Sequence, residues 1–417
     1  MLIWTIILTL IIIGILIFVH ELGHFLFAKL FKVKVETFSI GFGPSIFSFK
    51  KGETKYTISI LPIGGYVKMA GDEPSSYSGL PDEFLSKKNY QKILIVFAGP
   101  LFNIIFGILL FFLAFKFFGV SNIKSNEIYK SEIAQIQKGD KIIQVNDKPF
   151  KGWFFLEREN QYESTKLKVV RGIDTLIVNL KKGEVYKLRP KIEPVVDKVL
   201  VGYPAHNAGI RKGDKILEID GIKIEDWSDI HSIVANKVNQ EITIKYERNN
   251  QVFETKLKVR GEIVDQKGRK EGKLGIIREF ETYRPDVFSS IVFSIDRTIN
   301  ASLLIFKVII GLFTGETSLN VIGGPVMVGK TLGEGAQMGI QMLILITALI
   351  SINLAVVNLL PIPALDGSHI LIFLIESIIR KRINPKLYFA IQMTGFVILM
   401  ALMFIIVIFD LYRILIP

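Results

Sequence analysis

The sequence predicts a polytopic α-helical membrane protein with four spans and, between the second and third, two copies of a small strand-rich module. Composition is the first observation behind this. Half of the 417 residues are hydrophobic and the mean hydropathy is +0.41, too apolar for a wholly soluble chain. Yet 51 basic and 39 acidic residues are too many for membrane helices alone, so a soluble part must be present. The second observation is a set of four long uncharged runs, and the third is an internal repeat. Cysteine is absent, which excludes a disulfide framework, thiol redox chemistry and thiolate metal ligation. The net charge of +12 fits loops facing the negative inner leaflet, and no nucleic acid is expected as a partner.

Residues 1–19 carry no charge, and the apolar character resumes after position 24 as far as Phe31. The other uncharged runs are 93–115, 335–365 and 387–409. A helix needs about 20 apolar residues to cross a hydrocarbon core, and each run supplies them. The first run lacks a basic leader and a small-residue cleavage site, so it reads as a retained span rather than a signal peptide. Segment 286–315 differs. Phe288, Val292, Ile295, Ile299, Leu303 and Phe306 fall at helical spacing, but Asp296, Arg297 and Lys307 interrupt them. Charges of that kind cost about 2.5–3.5 kcal/mol each at a membrane helix centre, so an amphipathic helix on the membrane or on the bundle is expected, not a crossing. Lysine and arginine set the orientation. Ten lysines lie between 29 and 92, and Arg380, Lys381, Arg382 and Lys386 precede the last span, so both connections should be cytoplasmic. The termini and the large 119–334 region then lie outside.

The repeat runs Ile136-Gln-Lys-Gly-Asp-Lys-Ile-Ile-Gln-Val-Asn-Asp and, 74 residues later, Ile210-Arg-Lys-Gly-Asp-Lys-Ile-Leu-Glu-Ile-Asp-Gly, with Trp153 and Trp227 at the same offset. Two copies of one compact module follow. In the second, an Asp220-Gly221 turn precedes a helix expected to begin near residues 226–229 with Ser228 and Asp229 as caps. Its lead-in, Val201-Gly-Tyr-Pro-Ala-His-Asn-Ala-Gly-Ile, resembles the PDZ domains of bacterial envelope proteases, which bind extended peptides along a sheet edge. The first copy lacks that lead-in and is grouped with the second through the repeat. His206 and His231 read as surface residues.

The chemistry sits at the end of the first span. His20-Glu21-Leu22-Gly23-His24 is an H-E-x-x-H motif. Residues four apart on a helix stack nearly above one another, so both imidazoles can reach one Zn²⁺. Glu21, about 100° round, can act as a base towards a water there without ligating. A hydrolytic zinc site needs a third ligand and an open position. Asp366 is the candidate, within Asn358-Leu-Leu-Pro361-Ile-Pro363-Ala-Leu-Asp366-Gly367, and His369 is its rival. The two prolines break the helix, and irregular backbone at membrane depth is tolerated only against protein or a water-filled cavity. No G-x-S-x-G elbow occurs, so a serine-protease reading has no nucleophile motif. A scaffold or transporter would not need Glu21 between two stacked histidines.

Taken together with Gly41-Phe-Gly-Pro44 and Leu61-Pro-Ile-Gly-Gly-Tyr-Val-Lys-Met-Ala-Gly71, these motifs resemble the site-2 protease family in order along the whole chain, and most closely its bacterial regulator of sigma-E protease group. The resemblance implies a zinc metalloendopeptidase cutting transmembrane segments of single-span proteins, such as anti-sigma factors or signal-peptide remnants, after a first extracytoplasmic cut. It implies His20, His24 and Asp366 as zinc ligands and Glu21 as the catalytic base. It implies substrate contacts at Asn358, Pro361 and Pro363, and at Gly64 and Gly65 in a cytoplasmic-side reentrant β element. The expected organisation is a first transmembrane helix (1–31), the reentrant region (32–91), a second helix (92–118), two PDZ-like domains (119–190 and 191–262), a linker with amphipathic helices (263–334), a third helix (335–379) and a fourth (386–412). The expected location is the bacterial inner membrane, with termini and PDZ-like domains outside and the active site towards the cytoplasm. Ser368, after Asp366-Gly367, stands where the family pattern has a small residue, often glycine.

Overall fold

The computed structural model describes residues 2–73, 76–263, 269–278, 281–317 and 323–415. Its chain divides into two compact units, one formed by 1–114 with 288–416 and the other by 115–287. The first unit opens with α1 (Leu2–Leu30), apolar all round apart from the H-E-x-x-H turn and Lys29. A hairpin of two long bent strands follows, β1 (Val35–Lys51) and β2 (Thr54–Met69). Residues 35–40 pair with 65–69 on one side and with 55–58 on the other, while 45–51 pairs with 54–59. The doubled-over hairpin therefore has four lanes, in the order 61–69, 35–42, 54–60, 45–51, and the 61–69 lane is an edge. Next comes α2 (Asn89–Leu113), which continues through a π-helical turn to Phe118.

The second unit begins with β3 (Val120–Ser121). The first module comprises β4 (Ile128–Ser131), β5 (Lys141–Val145), β6 (Lys148–Pro149), α3 (Trp153–Tyr162), β7 (Thr165–Arg171), β8 (Asp174–Leu180) and β9 (Leu188–Pro190). The second comprises β10 (Val196–Val199), α4 (Pro204–Asn207), β11 (Lys215–Ile219), β12 (Ile222–Lys223), α5 (Trp227–Val234), β13 (Glu241–Arg248) and β14 (Gln251–Lys258). Then follow β15 (Arg260–Ile263), β16 (Lys270–Lys273), β17 (Ile276–Arg278) and β18 (Thr282–Tyr283). The repeat folds twice alike. Each module has a four-stranded antiparallel sheet, β6-β5-β7-β8 or β12-β11-β13-β14, over an apolar core, Ile142, Leu156, Leu167 and Val169 in one and Ile216, Ile230, Ile242 and Ile244 in the other. The glycine-aspartate step of each repeat ends in the same ion pair, Arg171 Nε to Asp140 Oδ1 at 2.8 Å and Arg248 Nε to Asp214 Oδ1 at 2.7 Å, with both carboxylates buried.

Two expectations change here. The second module does not end at 262, because β10 pairs with β17 and so takes a strand from the expected linker. Of that linker, residues 264–268, 279–280 and 318–322 lie outside the described ones. The cap of α5 is Asp226, which accepts from Ser228 N, while Asp229 closes the capping box and Ser228 is only the donor. His206 and His231 are exposed as expected, the latter 3.0 Å from Glu271.

The chain returns to the first unit through α6 (Val287–Thr314), α7 (Pro325–Met338), α8 (Ile340–Asn358), α9 (Asp366–Ile379) and α10 (Pro385–Leu415). Among the described residues four helices, α1, α2, α8 and α10, are long and apolar enough to cross a membrane. The 335–379 stretch is not one helix. Gly339, at φ +118, separates α7 from α8, and Pro361 and Pro363 cannot donate to a helical ladder, so 359–365 is irregular and α9 starts afresh at Asp366. Helices α1, α2 and α8 pack together, and α9 lies against α2.

Candidate metal centre

Three side chains far apart in sequence meet inside the first unit. His20 and His24 sit one turn apart on α1, and Asp366 is the first residue of α9. His20 Nε2 lies 3.2 Å from His24 Nε2 and 3.1 Å from Asp366 Oδ2, and His24 Nε2 lies 3.6 Å from the same oxygen. Among the described residues, these three form the group able to hold a metal ion. They fit zinc. Ligand bonds near 2.05 Å at tetrahedral angles place neighbouring donors about 3.3 Å apart. Asp366 Oδ2 is buried without a hydrogen bond despite both ring nitrogens nearby, which is the arrangement a shared ion leaves. His24 Nδ1 lies 2.9 Å from the Ile95 carbonyl oxygen, which can only accept, so the ring donates there and its Nε2 keeps a lone pair. His369 lines the same cavity but is not among the three donors that converge, and its Nδ1 lies 2.5 Å from the Tyr388 hydroxyl on α10.

The approach depends on a missing side chain. A Cβ on Gly99 of α2 would lie 2.3 Å from His24 Nε2 and 2.9 Å from His20 Cε1, so only glycine leaves room for the imidazoles. Sequence reasoning missed Gly99. It also missed Asn103, a fully buried amide on the same helix whose Nδ2 lies 3.2 Å from His20 Nδ1. Both sit within an apolar run, where the eye reads only a span.

A cavity of about 350 Å³ opens beside the three donors, lined among others by Glu21, Gly65, Val67, Asn358, Asp366 and His369. Its hairpin wall is the 61–69 edge. Val67 N–H hydrogen-bonds the Glu21 carboxylate, and Met69 N–H donates to Asp72 Oδ2 at 3.0 Å. Gly65 lets this edge reach α1, because a Cβ there would meet Ser39 O at 2.8 Å and Glu21 Cγ at 3.2 Å. Of the remaining expected contacts, Asn358 Nδ2 is 3.4 Å from His20 Nε2. Gly64 bends the lane at φ +104, and a Cβ there would overlap the Phe42 ring. Pro363 packs against Gly395 of α10, and Pro361 is exposed.

A histidine pair on a membrane-length helix and a carboxylate at the start of the short helix α9, with a second carboxylate beside an open cavity, suit a zinc hydrolase. The profile of peptidase family M50 matches residues 8–402, and the chain belongs to that family, the site-2 proteases. It is 33% identical to a Staphylococcus aureus protein named as a zinc metalloprotease, over 98% of both chains. It is equally identical to Probable protease eep of Enterococcus faecalis, over 98% of this chain and 99% of that one. A Neisseria meningitidis protein also named as a zinc metalloprotease is 30% identical, over 89% and 91% of the two chains. Among solved structures, the PDZ domain of an SdrC-like protein from Listeria monocytogenes is 25% identical over 20% of this chain and 82% of that domain, with a TM-score of 0.17. The protein is a zinc metalloprotease of a family that acts in a lipid environment on membrane proteins.

Proposed function

We propose that the protein is an intramembrane zinc metalloendopeptidase that cuts the transmembrane segment of single-span proteins already trimmed outside the membrane. Anti-sigma factors and signal-peptide remnants are substrates of the right form. The observation that carries this reading is the convergence of His20, His24 and Asp366 within an apolar helix bundle, beside a cavity walled by a sheet edge. In this reading those three are the ligands. Zinc, when bound, supplies Lewis acidity, polarising a carbonyl and lowering the pKa of a water to ~7. Glu21 is the base that takes the proton from the attacking water and returns it to the leaving amine.

A helical peptide bond is shielded by its own ladder, so a substrate must unwind before it can be cut. The edge at 61–69 supplies the partner. An unwound segment adds as a strand along Gly64 and Gly65, and its carbonyl takes the Val67 N–H that Glu21 holds in the free enzyme. Substrate binding thereby frees the base. Asn358 holds the strand from the opposite wall, with Pro361 and Pro363 keeping 359–365 open. Exposed Phe42, Ile46, Phe47 and Phe49 on the hairpin suit a reentrant element dipping into lipid from the cytoplasmic side. Asp366 can share a membrane face with His24 only if an even number of crossings separates them. Helices α2 and α8 supply two, so α6 lies on the membrane rather than across it. The proposed location is the bacterial inner membrane, with termini and the two PDZ-like modules outside.

The test is reconstitution into proteoliposomes with a trimmed single-span substrate. Cleavage within the membrane segment, lost on chelation and restored by zinc, is expected. Cleavage of water-soluble peptides with the embedded segment left intact would refute the reading.

A further inference from the structure

One face of α2 serves both histidines. Ile95, Gly99 and Asn103 are spaced four apart, so they stack along a single stripe facing α1. The Ile95 carbonyl takes the His24 Nδ1 hydrogen, Gly99 leaves the gap, and the Asn103 amide meets the His20 ring. Asn103 is fully buried in an apolar helix, where an unpaired amide is costly. Its backbone carbonyl is engaged by Ser351 Oγ of α8 at 2.7 Å, yet its Oδ1 has no hydrogen-bond partner while its Nδ2 faces His20 Nδ1. Amide oxygen and nitrogen are interchangeable by a flip, and the network decides between them. With His20 Nε2 aimed at Asp366 and His24, the ring's hydrogen belongs on Nδ1, and that N–H needs an acceptor.

We propose that Asn103 is the positioning residue for His20: its Oδ1 accepts the His20 Nδ1 hydrogen, fixing the tautomer that leaves Nε2 free to ligate. The flip gives Oδ1 its partner and makes the two histidines equivalent, one oriented by a main-chain oxygen and the other by a side-chain oxygen. The inference rests on the ligand set proposed above. Such partners typically change metal affinity by about 10–100-fold.

The experiment is competitive zinc titration of the full-length protein in nanodiscs, with the Co²⁺-substituted absorption spectrum as a second readout. Asn103→Ala is expected to bind zinc about 10–100-fold more weakly and to alter the cobalt ligand-field bands. Asn103→Leu fills the volume without an acceptor and should match it, which separates loss of the oxygen from loss of packing. Asn103→Asp keeps an acceptor oxygen and should restore affinity to within a few-fold. Wild-type affinity in folded Asn103→Ala or Asn103→Leu would overturn the proposal. So would an Asn103→Asp protein as weak as Asn103→Ala, since the amide hydrogen would then be what His20 needs. Zinc retained in full by His24→Ala would instead sink the ligand set, and this proposal with it.

Discussion

At the scale of residues, Glu21 and the two histidines beside it separate by what they lose. Glu21→Gln preserves size and leaves the three donors untouched, but an amide cannot take a proton from water. Cleavage of the embedded substrate should fall by a factor of 10² or more, on the order general-base catalysis contributes, with zinc stoichiometry unchanged. Metal analysis beside a cleavage assay checks this, and equal loss of zinc in Glu21→Gln and His24→Ala proteins would remove Glu21 from the role of base. These residues were legible because helical geometry turns a four-residue spacing into a shared ligand face. Asp366 was legible as a carboxylate at a proline-broken helix end, and its carboxylate, unlike the His369 ring, is one of the three donors that converge. Gly99 and Asn103 were not legible. One acts by having no side chain, the other through a ring nitrogen 83 residues away, and neither disturbs the apolar pattern of a span.

At the scale of elements, the hairpin edge and the paired modules each carry a consequence. Gly65→Ala puts a methyl 2.8 Å from Ser39 O and 3.2 Å from Glu21 Cγ, so the 61–69 lane must move away from α1. Substrate cleavage should drop at least tenfold while zinc remains bound, and unaltered cleavage would mean the edge does not hold the substrate. In the first module the Arg171 guanidinium, hydrogen-bonded to the Asp140 carboxylate, holds that carboxyl below its ordinary range. A depressed folded value stabilises the fold above the unfolded value of about 3.9 and is lost as pH falls through the folded one. Asp140→Asn should therefore cost about 1.5–3 kcal/mol at neutral pH and make the module less sensitive to acid below about pH 4, read by hydrogen exchange of the β5 and β7 amides. Exchange unchanged by the substitution would show the pair to be ornamental. The repeat was readable at Asp140 and Asp214, which keep the 74-residue offset. Their arginines do not, since Arg171 and Arg248 follow connections and strands of different length. Strand β17 was invisible for another reason: three residues are too short for an alternation to declare itself.

At the scale of the whole molecule, two modules inserted between the second and third spans need a reason to be there. We favour a size filter: folded bulk outside the membrane blocks an untrimmed ectodomain, while a trimmed substrate passes and any grip on its new end is secondary. The first copy lacks the Pro-Ala-x-x-Ala-Gly lead-in of the second, yet it keeps the same four-stranded sheet, core and buried ion pair. Bulk requires the fold alone, whereas a peptide receptor requires an intact groove as well. The inserted unit also offers a clean excision. Its first and last strands, β3 and β18, pair with each other, and Asn122 N donates to Glu281 O at 2.8 Å. Ends already held side by side can be joined by a short linker at little entropic cost. Deletion of residues 123–280 across that ladder takes the second module out together with β17, which a cut at 262 would leave without its partner β10. The shortened protein should cleave untrimmed single-span substrates that the full chain refuses, with cleavage of trimmed ones retained, both followed in proteoliposomes. If it instead inserts, binds zinc and loses trimmed substrate, the modules are receptors that deliver the cut end, and bulk has nothing to do with selection.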